Sequence, residues 1–199
     1  KVLHRQSEVL GITSRAFYTD TLGAFLEKLV NISGLDIALP MNTGAEAVET
    51  AIKAARRWAY KTKKVEANKA EIIVAEGNFH GRTTTIISFS TDEQSKEDFG
   101  PYTPGFVSIK YGCTESLKEA ITKNTAAFLV EPIQGEAGII IPEKEWLPEV
   151  RKVCTENNVL LILDEIQSGL GRTGKMFAFE HSSIIPDGLI LGKALGGGL

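Results

Sequence analysis

Two side chains that could do chemistry, a carboxylate and an amine, each follow an apolar segment near the end of the sequence. Asp164 comes directly after the apolar residues 159–163, and Lys193 comes directly after residues 188–192. Uninterrupted apolar runs of this length are typical of strands buried on both faces of a parallel sheet. Such sheets bind their ligands outside the carboxyl ends of the strands. We therefore expect both groups at a ligand-binding edge, joined by one strand–crossover–strand unit.

Taken singly, Asp164 could cap the next helix and Lys193 could be a surface residue. Together they meet two requirements of pyridoxal phosphate (PLP) chemistry. A carboxylate beside the pyridine nitrogen favours the protonated ring. A lysine is needed to bind the cofactor covalently and to carry a proton.

Residues 42–45, Asn-Thr-Gly-Ala, lie between an extended segment and a predicted helix. Free N–H groups and the helix dipole at such a place favour an anion such as phosphate. An ordinary capped helix start fits the same residues. The Gly-Lys-Ser/Thr ending of a P-loop is absent from this sequence.

An aromatic pair, Phe79-His80, follows the predicted strand 71–75 and precedes Gly81-Arg82. The rings could stack on a planar ligand, and Arg82 could hold a carboxylate through a two-pronged hydrogen bond. Alternatively, Phe79 is a core aromatic residue and His80 a polar loop residue. No second histidine stands at ligand spacing, so we expect no metal site.

The composition is that of an ordinary globular chain with one substantial core: 199 residues, 43% hydrophobic and 24% charged. A net charge of −3 argues against nucleic acid as a main partner. No apolar run approaches the ~20 residues of a membrane span. Two cysteines without metal or redox spacing suggest a reducing compartment. The chain starts without Met and stops in a glycine-rich stretch, so we expect a segment of a longer protein.

Apolar periodicity predicts strands that alternate with helices, hence an α/β fold with a mainly parallel (mixed) sheet flanked by helices. Residues 83–90 fit either a helix or a strand. One predicted helix begins at Thr19 or Asp20 and stops at Gly34. Three others cover residues 47–61, 117–121 and 146–157. The predicted strands are residues 71–75, 106–109, 126–130, 159–163 and 188–192.

The sequence as a whole resembles a known family, the class III aminotransferases of PLP fold type I. The resemblance covers essentially all 199 residues, through the segments SRAFYTDTLG, MNTGAEAVETAIKAARRWAY, GNFHGRT, VEPIQGEAG, LDEIQSGLGRTG and LGKALGGG. It implies an N-terminal connecting segment (residues 1–20) and a partial large PLP-binding domain (residues 21–199). It also implies that the small C-terminal domain is absent and that the domain is truncated at both ends.

The resemblance assigns a role to each matching cofactor residue. Lys193 matches the lysine that anchors PLP and transfers protons, and Asp164 the partner of the pyridine nitrogen. Gln167 matches the residue that hydrogen-bonds the cofactor's 3-hydroxyl oxygen. The other matches are Gly44 and Ala45 for the phosphate, Phe79 for the stacked ring, and His80 at a position that is often aromatic.

Three further residues match substrate positions of the family. Arg82 resembles the arginine that receives a substrate carboxylate, and Glu131 a glutamate that supports the substrate pocket. Glu136 resembles a gating glutamate that pairs with an arginine from the C-terminal part. For both glutamates a loop-capping role remains an alternative.

The implied reaction is ping-pong transfer of the δ-amino group of L-ornithine to 2-oxoglutarate, giving glutamate 5-semialdehyde and glutamate. The resemblance also implies a homodimer or higher homo-oligomer, in the cytoplasm or alternatively the mitochondrial matrix. We expect the 199-residue chain to be inactive alone. Alternative readings are another class III aminotransferase, acting on acetylornithine or 4-aminobutyrate, a semialdehyde aminomutase, or a non-catalytic homologue. A nucleotide-binding α/β domain is more distant, since no Gly-x-Gly-x-x-Gly follows a predicted strand.

Overall fold

A computed structural model of the chain describes residues 1–14 and 16–198. These residues form two compact units, one of Lys1–Leu39 and one that begins at Pro40. The first contains helices α1 (Val2–Val9) and α2 (Asp20–Ser33). Helix α1 was not predicted, because it has no buried residue and its sequence is mostly polar. The domain boundary after residue 20 stays a prediction.

Helix α2 has the two ends that its sequence predicts. The Thr19 side chain accepts a hydrogen bond from the Leu22 N–H, 3.2 Å away, which satisfies a free donor of the first turn. Gly34 follows the helix with φ 71°, a left-handed conformation that glycine adopts without strain. Within the described parts of the chain, no helix has the length and apolar character of a membrane span.

The second unit is built on five strands, each parallel to its neighbours, in the order β2-β1-β3-β4-β5. This confirms the predicted α/β class. The first two strands have the predicted bounds, β3 begins one residue earlier, β4 is shifted by one residue at both ends, and β5 ends two residues earlier than predicted. The strands are β1 (Glu71–Ala75), β2 (Phe106–Ile109), β3 (Thr125–Val130), β4 (Leu160–Asp164) and β5 (Gly188–Ile190).

Helices cover both faces of the sheet, which explains why its inner strands are apolar at consecutive positions. Helix α3 packs Val48 and Ile52 against the face that carries Ile72 and Val74. Helices α5 and α6 pack on the opposite face, which carries Ile73. Residues 83–90 contain a helix and no strand. The helices are α3 (Gly44–Trp58), extended by a π-turn at Ala59–Lys63, α4 (Thr84–Ile87), α5 (Thr114–Ala120) and α6 (Trp146–Glu156).

The turn after β4 is held by a buried carboxylate. Glu165 is 1% exposed and accepts hydrogen bonds from the N–H groups of Ala178 (2.6 Å) and Phe179 (2.9 Å). Burial raises the pKa of Glu165 to about 7, although both N–H donors act in the opposite direction. Gly169 closes the turn by donating its N–H to the Glu165 carbonyl oxygen at 2.9 Å. This turn fixes the chain that leaves Asp164.

We predict that Gly169→Ala destabilises the chain. A Cβ at this position would lie 2.8 Å from the Glu165 carbonyl oxygen, so the backbone must shift. Overpacking of this kind costs about 1–3 kcal/mol. Gly196→Ala is the matched control, because a Cβ there meets nothing within 4 Å. Urea unfolding gives the free energies of unfolding, and equal values for the two variants would contradict the prediction.

Candidate functional site

Asp164, the last residue of β4, is 4% exposed and its carboxylate is held by two donors. Oδ1 accepts from the Ile166 N–H at 3.0 Å, and Oδ2 lies 2.7 Å from His80 Nδ1. Because an ionised carboxylate only accepts hydrogen bonds, Nδ1 is the ring nitrogen that carries the donated proton. A carboxylate offers about four acceptor positions, so the group retains capacity for a third donor.

Glu131 is the first residue after β3 and lies beside this pair. It is 5% exposed, and its Oε2 accepts a hydrogen bond from the Phe79 N–H at 3.1 Å. Burial raises the pKa of Glu131 to about 7, with the Asp164 charge acting in the same direction and His80 opposing it. We call Glu131, His80 and Asp164 the buried polar cluster.

Phe79 and His80 are adjacent in sequence but differ in exposure. The Phe79 ring is half-buried, and the Arg82 guanidinium carbon lies 5.4 Å from its centre, a cation–π contact. The His80 side chain is completely buried. Phe79 is therefore the ring of the pair that has an accessible surface.

Lys193, Glu136 and Gln167 form a second group, which we call the amine cluster. Glu136 Oε1 lies 3.9 Å from Lys193 Nζ and 3.3 Å from Gln167 Nε2. Half of the Lys193 side chain is exposed, so solvent weakens the attraction between its ammonium group and Glu136. All three residues line a cavity of about 1060 Å³. Gly135 makes room for Gln167, since a Cβ there would lie 1.9 Å from Gln167 Oε1.

The start of α3 presents free backbone donors. Thr43 and Glu46 form a reciprocal capping box, in which the Glu46 carboxylate accepts from the Thr43 N–H. None of the described residues (1–14 and 16–198) accepts a hydrogen bond from the N–H groups of Gly44 and Ala45. This helix start therefore combines two free donors with the positive end of the helix dipole.

Ile166 lies between the start of α3 and the segment after β5, and the sequence did not indicate this position. A Cβ on Gly44 would lie 2.8 Å from Ile166 Cδ1, and one on Gly192 would lie 3.2 Å from Ile166 Cγ2. Ile166 thus fills the space between the start of α3 and the end of β5. Glycine at both positions permits this close approach.

All the sequence-predicted site residues lie at the carboxyl edge of the sheet or at the start of α3. The structure joins His80 with Asp164, Phe79 with Arg82 and Glu131, and Lys193 with Glu136 and Gln167. It also adds Tyr111, whose single hydroxyl proton lies within reach of two carbonyl oxygens, those of Glu131 (3.1 Å) and Pro132 (2.9 Å). Tyr111 carried no signal in the sequence, because its partners are about 20 residues away.

Comparisons with known proteins agree on one family. The family model for class III aminotransferases matches residues 1–199. An ornithine aminotransferase of Brevibacillus brevis is 61% identical over 199 residues, which are 100% of this chain and 50% of that protein. The chain thus spans about half the length of the curated relatives it matches.

Solved structures give the same result. The crystal structure of an ornithine aminotransferase from Toxoplasma gondii aligns with a TM-score of 0.97 and 46% identity, covering 99% of this chain and 47% of that one. A second crystal structure of that enzyme has PLP at partial occupancy in its active site. An acetylornithine aminotransferase from Elizabethkingia anophelis aligns with a TM-score of 0.84 and 44% identity, covering 99% of this chain and 46% of that one.

We predict that Glu131 makes the chain less stable as the pH rises through its pKa. The folded chain holds this proton more tightly than the unfolded chain, where the pKa is about 4.5. The stabilisation is complete below about pH 4.5 and is lost as the pH rises through about 7. Its size is at most about 3 kcal/mol.

Glu131→Gln should therefore flatten the dependence of the free energy of unfolding on pH between 4.5 and 8. The amide keeps an acceptor for the Phe79 N–H but does not titrate. Part of the dependence should remain, because burial raises the pKa of Glu165 as well. Glu66→Gln, at an exposed position, is the control, and a profile for Glu131→Gln that overlays the control would contradict the prediction.

Proposed function

Given that the chain belongs to the class III aminotransferase family, we propose that it supplies the cofactor-binding part of an ornithine δ-aminotransferase. Enzymes of this family are PLP-dependent. The proposed reaction transfers the δ-amino group of L-ornithine to 2-oxoglutarate. The observation that carries the proposal is the position of Asp164 and Lys193 at the carboxyl ends of the paired strands β4 and β5. The proposal also includes a homodimer or higher homo-oligomer and, from the bacterial relatives, a cytoplasmic location.

The donors and acceptors of the site fit PLP. Asp164 retains acceptor capacity for a protonated ring nitrogen after its two internal hydrogen bonds. Gly44 and Ala45 offer free N–H groups for a phosphate at the start of a 15-residue helix. Lys193 offers a primary amine beside a large cavity. When bound, PLP supplies the electron-withdrawing ring that stabilises negative charge at the substrate carbon.

Residues of this chain are proposed to bind the cofactor and to transfer protons. Lys193 would anchor the cofactor covalently and would then carry a proton to or from the substrate carbon. The negative charge of Asp164 would favour a proton on the ring nitrogen. Gln167 would donate to the cofactor's 3-hydroxyl oxygen, and Phe79 offers an accessible ring on which the pyridine could stack. His80 lies behind Asp164 in the same binding site.

Arg82, Glu131 and Glu136 are proposed to serve the substrates. Arg82 is exposed and lies over Phe79, which supports binding of a substrate carboxylate beside the ring. Glu131 supports the pocket by holding the Phe79 backbone. Glu136 lines the cavity beside Lys193 and would act as a gate by pairing with an arginine from the C-terminal part. That pairing would let one site accept ornithine and then 2-oxoglutarate.

A second candidate is N-acetylornithine as the amino donor, favoured by the similarity to the Elizabethkingia anophelis enzyme. The assignments of Lys193, Asp164 and Gln167 apply to both candidates, so these residues do not separate them. The inactivity of the isolated 199-residue chain stays a prediction.

We predict that the full-length protein carrying this chain forms glutamate from 2-oxoglutarate with L-ornithine as donor. N-acetylornithine and 4-aminobutyrate should give at least about tenfold lower kcat/KM, because a site fitted to one amine loses binding energy with another. Lys193→Ala should abolish turnover. Preference for N-acetylornithine would select the second candidate. A protein that stays colourless with added PLP would favour a non-catalytic homologue.

We also predict that Gly135→Ala weakens PLP binding through Gln167. The new Cβ would overlap the amide of the Gln167 side chain, and because Gln167 is exposed its amide can rotate away. Loss of one hydrogen bond to the cofactor corresponds to about tenfold in its dissociation constant. Gln167→Ala should give the same loss, and adding Gly135→Ala to it should change little. Losses that add in the double variant would show that Gly135 acts independently of Gln167.

A further inference from the structure

The loop that carries Glu136 is closed at its base by a pair of backbone hydrogen bonds. The Gln134 N–H donates to the Ile140 carbonyl oxygen at 3.1 Å, and the Ile140 N–H donates to the Gln134 carbonyl oxygen at 2.9 Å. We call the residues between them, 135–139, the Glu136 loop. Glu136 and Lys193 both line the large cavity. The position of this loop therefore sets where a negative charge lies in the cavity.

The Gln134 side chain ties the base of the loop to the sheet. It is 1% exposed, and its Nε2 donates to the carbonyl oxygen of Glu76, 2.7 Å away and 58 positions earlier in the chain. Glu76 directly follows β1, and its own N–H donates to the Ile109 carbonyl oxygen of β2 at 2.7 Å. Gly77 leaves room for the amide, since a Cβ there would lie 3.1 Å from Gln134 Oε1. The base of the loop is thus bonded to the ends of two paired strands.

We propose that Gln134 is a positioning residue, which fixes the place of the Glu136 carboxylate in the cavity by tying the Glu136 loop to the end of β1. This inference rests on the proposed function, in which Glu136 is the gate. Gln134 is buried whereas Glu136 lines the cavity, so Gln134 acts through the loop and does not contact the substrate.

A strained residue indicates that the loop depends on its base. Ile139 has φ 59°, in the left-handed region that β-branched residues rarely adopt. Its side chain is 73% exposed, so burial does not offset this cost. Strained backbone persists only where surrounding contacts over-determine it, and here these are the bridge between Gln134 and Ile140 and the bond from the Ile139 N–H to the Gly135 carbonyl oxygen at 3.2 Å. Release of the bridge would let the loop relax and would move Glu136.

The segment before Gln134 has a separate support. The Tyr111 hydroxyl lies 3.1 Å from the Glu131 carbonyl oxygen and 2.9 Å from that of Pro132. This support does not involve the Gln134 side chain. Replacement of Gln134 should therefore displace Glu136 and leave Glu131 in the buried polar cluster.

The test replaces Gln134 in the full-length protein with methionine, which has a similar length but no donor. Single-turnover reactions of the PLP-loaded protein give kcat/KM for L-ornithine and for L-glutamate as amino donors. The ornithine side chain ends in an ammonium group and that of glutamate in a carboxylate, so moving the Glu136 charge away disfavours ornithine relative to glutamate. We expect Gln134→Met to lower the ratio of kcat/KM for ornithine to that for glutamate by about fivefold or more. A variant that is merely less stable lowers both values equally.

Further variants identify the residue through which Gln134 acts. Glu136→Ala should lower the same ratio, and adding Gln134→Met to it should change the ratio little. Gln94→Met is the control, because Gln94 is exposed, and its ratio should match that of the unsubstituted protein. If Gln134→Met fails to fold, Gly77→Ala replaces it, since the new Cβ presses on the same amide.

Hydrogen exchange measures the loop without cofactor or substrate. In the PLP-free full-length protein, Gln134→Met should speed exchange of the Ile140 N–H, which is bonded to the Gln134 carbonyl oxygen, by about tenfold. Exchange at Val74, which is fully buried within β1, should not change.

Three results would overturn the inference. They are an unchanged ratio in Gln134→Met, a further fall of the ratio when Gln134→Met is added to Glu136→Ala, or equal acceleration of exchange at Ile140 and Val74. If the unsubstituted protein does not accept the amino group of L-ornithine, the proposed function fails and this inference fails with it. Normal transfer from ornithine with an unchanged ratio in Gln134→Met overturns the inference alone.

Discussion

The parallel pairing of β4 with β5 is the constraint on which the site depends. Asp164 is in register with Ile190, and the next residue, Glu165, donates its N–H to the Ile190 carbonyl oxygen at 2.9 Å. A carboxylate at the end of one strand is thereby fixed relative to Lys193, three residues beyond the end of the other. Because parallel strands share one direction, both groups reach the same edge of the sheet. A slip of one residue would turn Asp164 to the opposite face.

Burial of carboxylates at this edge requires compensation, which the structure provides through donors on neighbouring segments. Asp164 and Glu165 are consecutive and both buried, yet their partners differ. Glu165 accepts from two backbone N–H groups of the segment that begins at Ala178, and it thereby holds the turn together. Asp164 has one backbone donor and one histidine, and it keeps acceptor capacity for a ligand. Adjacent residues of similar chemistry thus divide into a structural and a functional carboxylate.

Much of the fold follows from local patterns in the sequence. The buried strands, the capped helix after Thr19 and the α3 region were predictable, because burial on both faces and capping leave signals within a few residues. Helix α1 left no such signal, since none of its residues is buried. The fourth and fifth strands were predicted within two residues, which was sufficient to place Asp164 and Lys193 at strand ends.

By itself, the sequence determined which reactive groups stand after which strands, because apolar runs and the residues that end them are local properties. Tertiary structure alone decided which groups meet. His80 and Asp164 are brought together from 84 positions apart, and Ile166 fills the space beside two distant glycines. Such contacts depend on strand order and on packing between segments remote in the chain. No spacing in the sequence could have separated the accessible Phe79 ring from the buried His80 ring beside it.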